Sequence, residues 1–241
     1  MGSRSLVSVC GALALLIVFG CRTRQLTVSL IPPIIPVPKS SVLWAEHFDA
    51  LQPERWREVE VRRHTQYGVV ALEGRSCLRA SSRDGGSILL SAVHFDPDRY
   101  QWLSWEWRVD QLVQGELLDR KEGSDAAARV YVFFDTPGLP WQRRNLDYVW
   151  SASLPVGTIL SSAYSSQSKI MVVESGSASL GKWRKVEQNL KADYERVFGE
   201  APPAVAAIGL MSDTDNTGGQ ALAYFDEVRI SRSAEPSQRA K

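Results

Sequence analysis

The feature that most constrains this chain is a period-2 alternation of apolar and polar residues that recurs between Val42 and Ile230. It is sharpest at 102–110, where Leu103, Trp105, Trp107 and Val109 share one side of an extended backbone and Ser104, Glu106, Arg108 and Asp110 the other. Residues 128–135 repeat it, with Val130, Val132 and Phe134 opposite Arg129, Tyr131 and Phe133. Further runs at 87–90, 147–153, 169–174, 183–190, 204–211 and 221–230 read as strands separated by turn residues. Strands at this spacing with hardly any helix between them predict an all-β chain, an antiparallel β-sandwich of jelly-roll type. One segment departs from the rule. Leu190, Tyr194, Val197 and Phe198 fall at helical spacing, Asn189 suits an N-cap, and Gly199 with Pro202 and Pro203 ends the run, so one short surface helix is expected.

The start of the chain has a different grammar. Arg4 precedes fourteen mostly apolar residues, 6–19, which end at Gly20 and Cys21. This run is shorter than the roughly 20 residues of a membrane-crossing helix and has the layout of an export signal. Val18-Phe19-Gly20-Cys21 is similar to the bacterial lipoprotein cleavage box, which makes 1–20 a signal peptide and Cys21 the lipidated first residue of the mature chain. Pro32, Pro33, Pro36 and Pro38 then mark 21–41 as a Pro-rich tether, 42–231 as one β-sandwich domain and 232–241 as a disordered tail. The expected location is the bacterial cell envelope, periplasm-facing and anchored to a membrane through Cys21. Loss of 1–20 leaves 27 basic against 27 acidic residues, a balance that offers no nucleic-acid footprint. It also leaves Cys77 without an intramolecular disulfide partner once Cys21 is acylated, and a lone Cys reads as a small buried residue.

Candidate binding residues come from the polar halves of the strands. If the strands at 102–110 and 128–135 lie near each other, Glu106, Arg108 and Asp110 can join Arg129 and Tyr131 in one charged hollow, with Asp125 beside them and Trp150 as a stacking ring. Arg with carboxylates suits planar, bidentate recognition of a sugar acid, although pairing of Arg129 with Asp125 or Asp110 would make it structural. Trp105 and Trp107 are expected in the core; Trp102 and Trp141 remain open to either role. The run at 213–219 has the Asp, Asn and Gly content of a hairpin turn between 204–211 and 221–230, and fails the EF-hand pattern because Tyr224 stands where a bidentate Glu belongs, while some other oxygen-rich metal site there stays open. No nucleophile elbow, phosphate loop or zinc-protease motif is present in the sequence.

Two resemblances extend this reading. The closing run Tyr224-Phe225-Asp226-Glu227-Val228-Arg229-Ile230 is similar to the last strand of carbohydrate-binding jelly rolls, making the fold carbohydrate-binding-module-like. That similarity implies a structural calcium held by Asp226 together with Glu46 and Asp49. Trp105-Glu106-Trp107-Arg108-Val109-Asp110, Asp125-Ala126-Ala127-Ala128-Arg129-Val130-Tyr131-Val132, Tyr148-Val149-Trp150 and Leu154-Pro155-Val156-Gly157-Thr158 continue in order to Asp193-Tyr194, Phe198-Gly199 and 213–217. This series resembles the bacterial family called domain of unknown function 3047, with Ser124 standing where an acidic residue is expected. The resemblance implies a secreted or lipid-anchored domain with no assigned activity. The expectation is an envelope lipoprotein whose non-catalytic β-sandwich binds glycan. The alternatives are a polysaccharide-acting enzyme using the same face, with Glu106, Asp110 or Asp125 as acid or base, and an assembly protein that binds another envelope component.

Overall fold

A strand with one apolar face must bury it against another layer, and here the layers are two sheets. The computed structural model describes residues 41–137 and 142–234; the expectations for 1–20, Cys21, the tether up to 40, Trp141 and the tail from 235 lie outside them. The six-stranded sheet contains β1 (Val42–Glu46), β3 (Gln66–Leu72), β4 (Arg75–Arg83), β6 (Trp102–Gln111), β11 (Arg184–Asn189) and β13 (Gln220–Ser231). Its order is β11-β6-β13-β4-β3, with β1 also paired to β13. The seven-stranded sheet contains β2 (Arg57–Arg62), β5 (Gly86–Ser91), β7 (Ala128–Phe134), β8 (Asn145–Ser151), β9 (Ile159–Ser161), β10 (Ser168–Ser175) and β12 (Val205–Asp213). Its order is β2-β5-β12-β7-β8-β10-β9, antiparallel throughout except for the parallel pair β8 and β10.

Aromatic rings hold the sheets together. Trp105 and Trp107 on β6 point inward and are fully buried. Across the gap, Trp105 meets Tyr148 of β8 with ring centroids 5.4 Å apart, and Trp107 meets Trp150 at 5.9 Å. Leu103, Val109, Val130, Val132, Phe134 and Leu146 fill the same layer. Trp150 is therefore a core residue, with its indole N–H donated to the Gly176 carbonyl (3.1 Å), and is not the stacking platform expected from sequence.

The helix α1 (Leu190–Phe198) forms where the 3.6-residue spacing predicts it. Asn189 Oδ1 accepts from Ala192 N at 3.0 Å, and Gly199 adopts a left-handed conformation (φ 75°) whose N–H closes on the Glu195 carbonyl. Leu190 and Tyr194 supply its buried face, with Tyr194 packed on Phe134. The segment at 213–219, by contrast, is no hairpin turn. β12 and β13 belong to different sheets, so the chain crosses between layers there. Its Asp and Asn content serves a clasp instead: the buried Asp125 carboxylate accepts from Asn216 N, Asn216 Nδ2 and Thr217 N at 2.7–3.2 Å.

Trp107→Ala removes a ring that bridges the two layers and should destabilise the domain by about 3–5 kcal/mol, measured as a lower urea midpoint with an unchanged slope.

Candidate functional site

The two polar stripes expected to share one hollow lie on opposite outer faces of the sandwich. β6 belongs to the six-stranded sheet and β7 to the seven-stranded one, and their apolar halves meet in the core between them. Glu106, Arg108 and Asp110 consequently face away from Arg129 and Tyr131. Their face is an ion-pair ladder: Arg108 Nε donates to Asp110 at 2.6 Å and Nη1 to Glu73 at 2.5 Å. Arg75 Nη1 donates to Glu106 at 2.6 Å and Nε to Asp226 at 2.7 Å, with its guanidinium 4.4 Å from the Trp183 ring centre.

The calcium set expected from sequence is not assembled either. Glu46 is buried and its oxygens serve the turn that follows β1, accepting from His47 N, Phe48 N (3.0 Å) and Trp56 Nε1 (2.9 Å), with Arg55 at 3.4 Å. Asp226 is engaged by Arg75 and by Glu227 N, while Asp49 is exposed. Among the described residues, the carboxylates that converge closely enough for a hard cation are others: one oxygen each from Asp125, Asp213 and Asp215 lie within 4.8 Å of one another.

That convergence sits in a cleft of about 180 Å³ on the outer face of the seven-stranded sheet, lined by Val61, Ile88, Arg129, Tyr131, Asp147, Tyr164, Met211, Asp213, Asp215 and Asn216 among others. The strand register explains the grouping. Met211 pairs with Arg129 and with Ile88, and Tyr131 pairs with Asp147, so four neighbouring strands present these side chains on one face. Two features shape it. The connection between β6 and β7 covers one half of the face, where Leu118 and Ala126 pack on Val149, Ile170 and Val172, and Glu116 is pinned by Ser151 Oγ and Ala152 N. On the other half, Ile88 and Phe133 close over the backbone of Gly209 in β12, where a Cβ would lie 2.7 Å from Ile88 Cγ2 and 3.3 Å from a Phe133 ring carbon. Tyr131 and Phe133 stack beside it, half-buried, with centroids 5.4 Å apart and planes 20° from parallel.

Arg129 lies under this floor, 2% exposed. Nε donates to Asp213 Oδ1 (2.9 Å), Nη1 to Asp147 Oδ2 and Nη2 to the Ser124 carbonyl (2.9 Å). Its partners are thus Asp147 and Asp213, not Asp125 or Asp110. Burial pushes the Asp213 carboxyl up to about 7 and the Asp147 carboxyl up to about 6, against the pull of the Arg129 charge; Asp125 adds repulsion at Asp213. Asp147 Oδ1 is buried without a hydrogen bond of ordinary geometry, with the Tyr131 hydroxyl beside it. Of the residues named from sequence, the cleft gathers Arg129 and Tyr131, with Asp125 behind them. It adds Asp147, Tyr164, Asp213, Asp215 and Asn216. Asp147 carried a signal, since an acid inside the apolar run 146–150 needs a buried partner.

A family model described as "Protein of unknown function (DUF3047)" matches residues 54–229. No curated protein sequence matches the chain. Among solved structures, the chain is similar to the glycoside hydrolase domain of Endo-D from Streptococcus pneumoniae R6 (10% identity, TM-score 0.40), covering 76% of this chain but only 22% of that one. It is similar to the cellulose induced protein Cip1 (8% identity, 79% and 97% covered, TM-score 0.45) and to a CBM22 xylan-binding domain (11% identity, 83% and 99% covered, TM-score 0.42). At this level of likeness they say nothing of the ligand.

Arg129→Ala leaves buried carboxylates uncompensated and should destabilise the protein by about 3–5 kcal/mol, read by urea denaturation; the unchanged melting temperature of a purely ligand-contacting arginine is not expected. The two raised carboxyls hold protons that the unfolded chain has already released between about pH 4 and pH 7, so their contribution to stability falls as pH rises through that window and levels off above it. Asp213→Asn should flatten this part of the stability–pH curve, measured by thermal melts from pH 4 to pH 9.

Proposed function

The chain belongs to the DUF3047 family, and from that premise we propose that it is a non-catalytic binding module that holds a glycan across the outer face of its seven-stranded sheet. The observation that carries this reading is the Tyr131–Phe133 pair, stacked and half-buried on an open face beside a cleft rich in hydrogen-bonding groups. Sugar rings present apolar C–H faces and polar edges, and an aromatic floor with polar walls matches both. Val61 and Tyr164, each 57% exposed, extend the apolar rim. Binding rather than catalysis is supported by the burial of Asp147 and Asp213 beneath that floor, each with an oxygen held by Arg129. The leader at 1–20 and Cys21 support placement on a bacterial envelope lipoprotein, facing the periplasm.

A second reading has one observation in its favour: Asp147 and Asp213 are carboxyls with raised pKa values in a cleft, the combination expected of an acid–base pair in a polysaccharide-acting enzyme.

A panel of soluble envelope and plant polysaccharides in affinity electrophoresis separates the two. The full chain should be retarded by at least one polymer with no new reducing ends after prolonged incubation, and Tyr131→Ala should weaken that retardation about tenfold, the effect of roughly 1.4 kcal/mol of lost stacking. Release of reducing ends that stops in Asp213→Asn would establish the enzyme instead, and retardation unaltered by Tyr131→Ala would remove this face from recognition.

A further inference from the structure

The charges around the cleft bear on which glycan it can hold, and they point away from the sugar acid that Arg129 suggests in the sequence. A guanidinium receives a sugar carboxylate only if some of its N–H groups are free and reachable. Arg129 is 2% exposed, and each of its three nitrogens already donates within the protein, to Asp213, Asp147 and the Ser124 carbonyl. The cation is spent on internal partners. What remains facing the opening is acidic.

Asp213 and Asp215 line the cleft, with Asp125 close behind, one oxygen of each lying within 4.8 Å of the others. Asp215 stands half-buried at the rim, and Arg62 Nη1 takes its backbone carbonyl (2.6 Å) rather than its carboxylate. Asp147 lines the same cleft and adds a buried Oδ1 that lacks a well-formed hydrogen bond. Glu122 also bears on the site through Tyr164. Arg129 is shared by Asp147 and Asp213, whose carboxyls are raised by burial, so the charges left around the opening are Asp125, Asp215 and Glu122 against Arg62 and Lys121, the last 5.5 Å from the centre of the Tyr164 ring. The excess is negative, and its carboxylate on the opening, Asp215, is half-buried rather than in open solvent, where water would screen it most strongly.

We propose that this cleft selects a glycan bearing a free amino group, receiving the protonated amine at the Asp215 carboxylate on its rim, with Asp213 beneath and Asp125 behind it, and that it rejects glycans built of sugar acids. The inference rests on the reading of the protein as a glycan-binding module and names the class of glycan. An ammonium brings three donors to the Asp215 carboxylate, and charge-assisted hydrogen bonds of this kind are about twice as strong as neutral ones. An N-acetylated sugar keeps the ring stacking but brings one neutral N–H. A uronic acid places like charge against the walls.

The test is calorimetric titration of the full chain with three hexamers: β-1,4-linked glucosamine, its fully N-acetylated form, and galacturonic acid. Glucosamine should bind about tenfold tighter than its acetylated form, and galacturonic acid weakest of the three. Raising salt from 0.05 to 0.5 M should narrow the first gap, and Asp215→Asn should close most of it. Equal affinity for glucosamine and its acetylated form, or tighter binding of galacturonic acid, overturns the amine selection and leaves the glycan reading standing. Failure of all three to bind, with no retardation by any polymer of the wider panel, overturns both. If Asp215→Asn does not fold, as judged by circular dichroism, the salt series on the unaltered chain decides alone: a glucosamine preference indifferent to salt sinks the proposal.

Discussion

The interaction on which the outer face of the seven-stranded sheet depends is the fork of Arg129. A guanidinium on β7 reaches Asp147 on β8 and Asp213 on β12, tying three adjacent strands through one buried cation. Its cost in desolvation is large, and a well-packed apolar substitute would often be as stable. What the fork adds is register. Side chains alternate between faces with a period of two, so a slip of one residue in β7 would drive Arg129 into the aromatic core and lift Val130 or Val132 to the outside. The fork and the core thus exclude the same errors from opposite sides. Asp125 carries the constraint further, because its carboxylate fastens residues 216 and 217, where the chain passes from one sheet to the other.

The inner side has a simpler logic. Trp105 and Trp107 flank Glu106 along β6, and the rings they meet, Tyr148 and Trp150, flank Val149 along β8. Large flat side chains from two sheets interdigitate in one layer, and the residues between them are left to the two outer faces, Glu106 among ion pairs and Val149 under the β6–β7 connection. One outer face then closes on itself, with Arg75, Arg108 and their acids paired along the surface. The other is half covered by the β6–β7 connection and half open. This asymmetry is what leaves a cleft on one sheet and a wall on the other.

Much of the architecture was legible in the sequence because alternation is a local signal. The strands at β5, β6, β7, β8, β10, β11, β12 and β13, the helix caps at Asn189 and Gly199, and the burial of Trp105 and Trp107 follow from residues a few positions apart. β2 was not legible: Arg-Glu-Val-Glu-Val-Arg is exposed at all six positions and buries nothing. β4 mixes Ser, Cys and Arg with few large apolar groups, so its pattern is faint although it lies inside the sheet. Which strands are neighbours is not a local property. β6 and β7 follow one another in the chain, yet they lie in different sheets, and the crossing at 214–219 has the same Asp, Asn and Gly content as a tight turn. For that reason the sequence groups Arg129 and Tyr131 with Glu106, Arg108 and Asp110, whereas the structure sets the two groups on opposite faces and makes Arg129 a buried partner of Asp147 and Asp213. Trp150 departs from expectation for a related reason: its sequence neighbours reveal little about which of two layers its ring enters.

Gly209 lets Ile88 of the neighbouring strand settle directly onto backbone, in the space a side chain there would need. Ile88 is β-branched, with few rotamers open to it even before it is packed in this way. A patch already locked by packing does not have to be frozen when something lodges beside it, so the conformational entropy lost on association falls on the guest and on the rim.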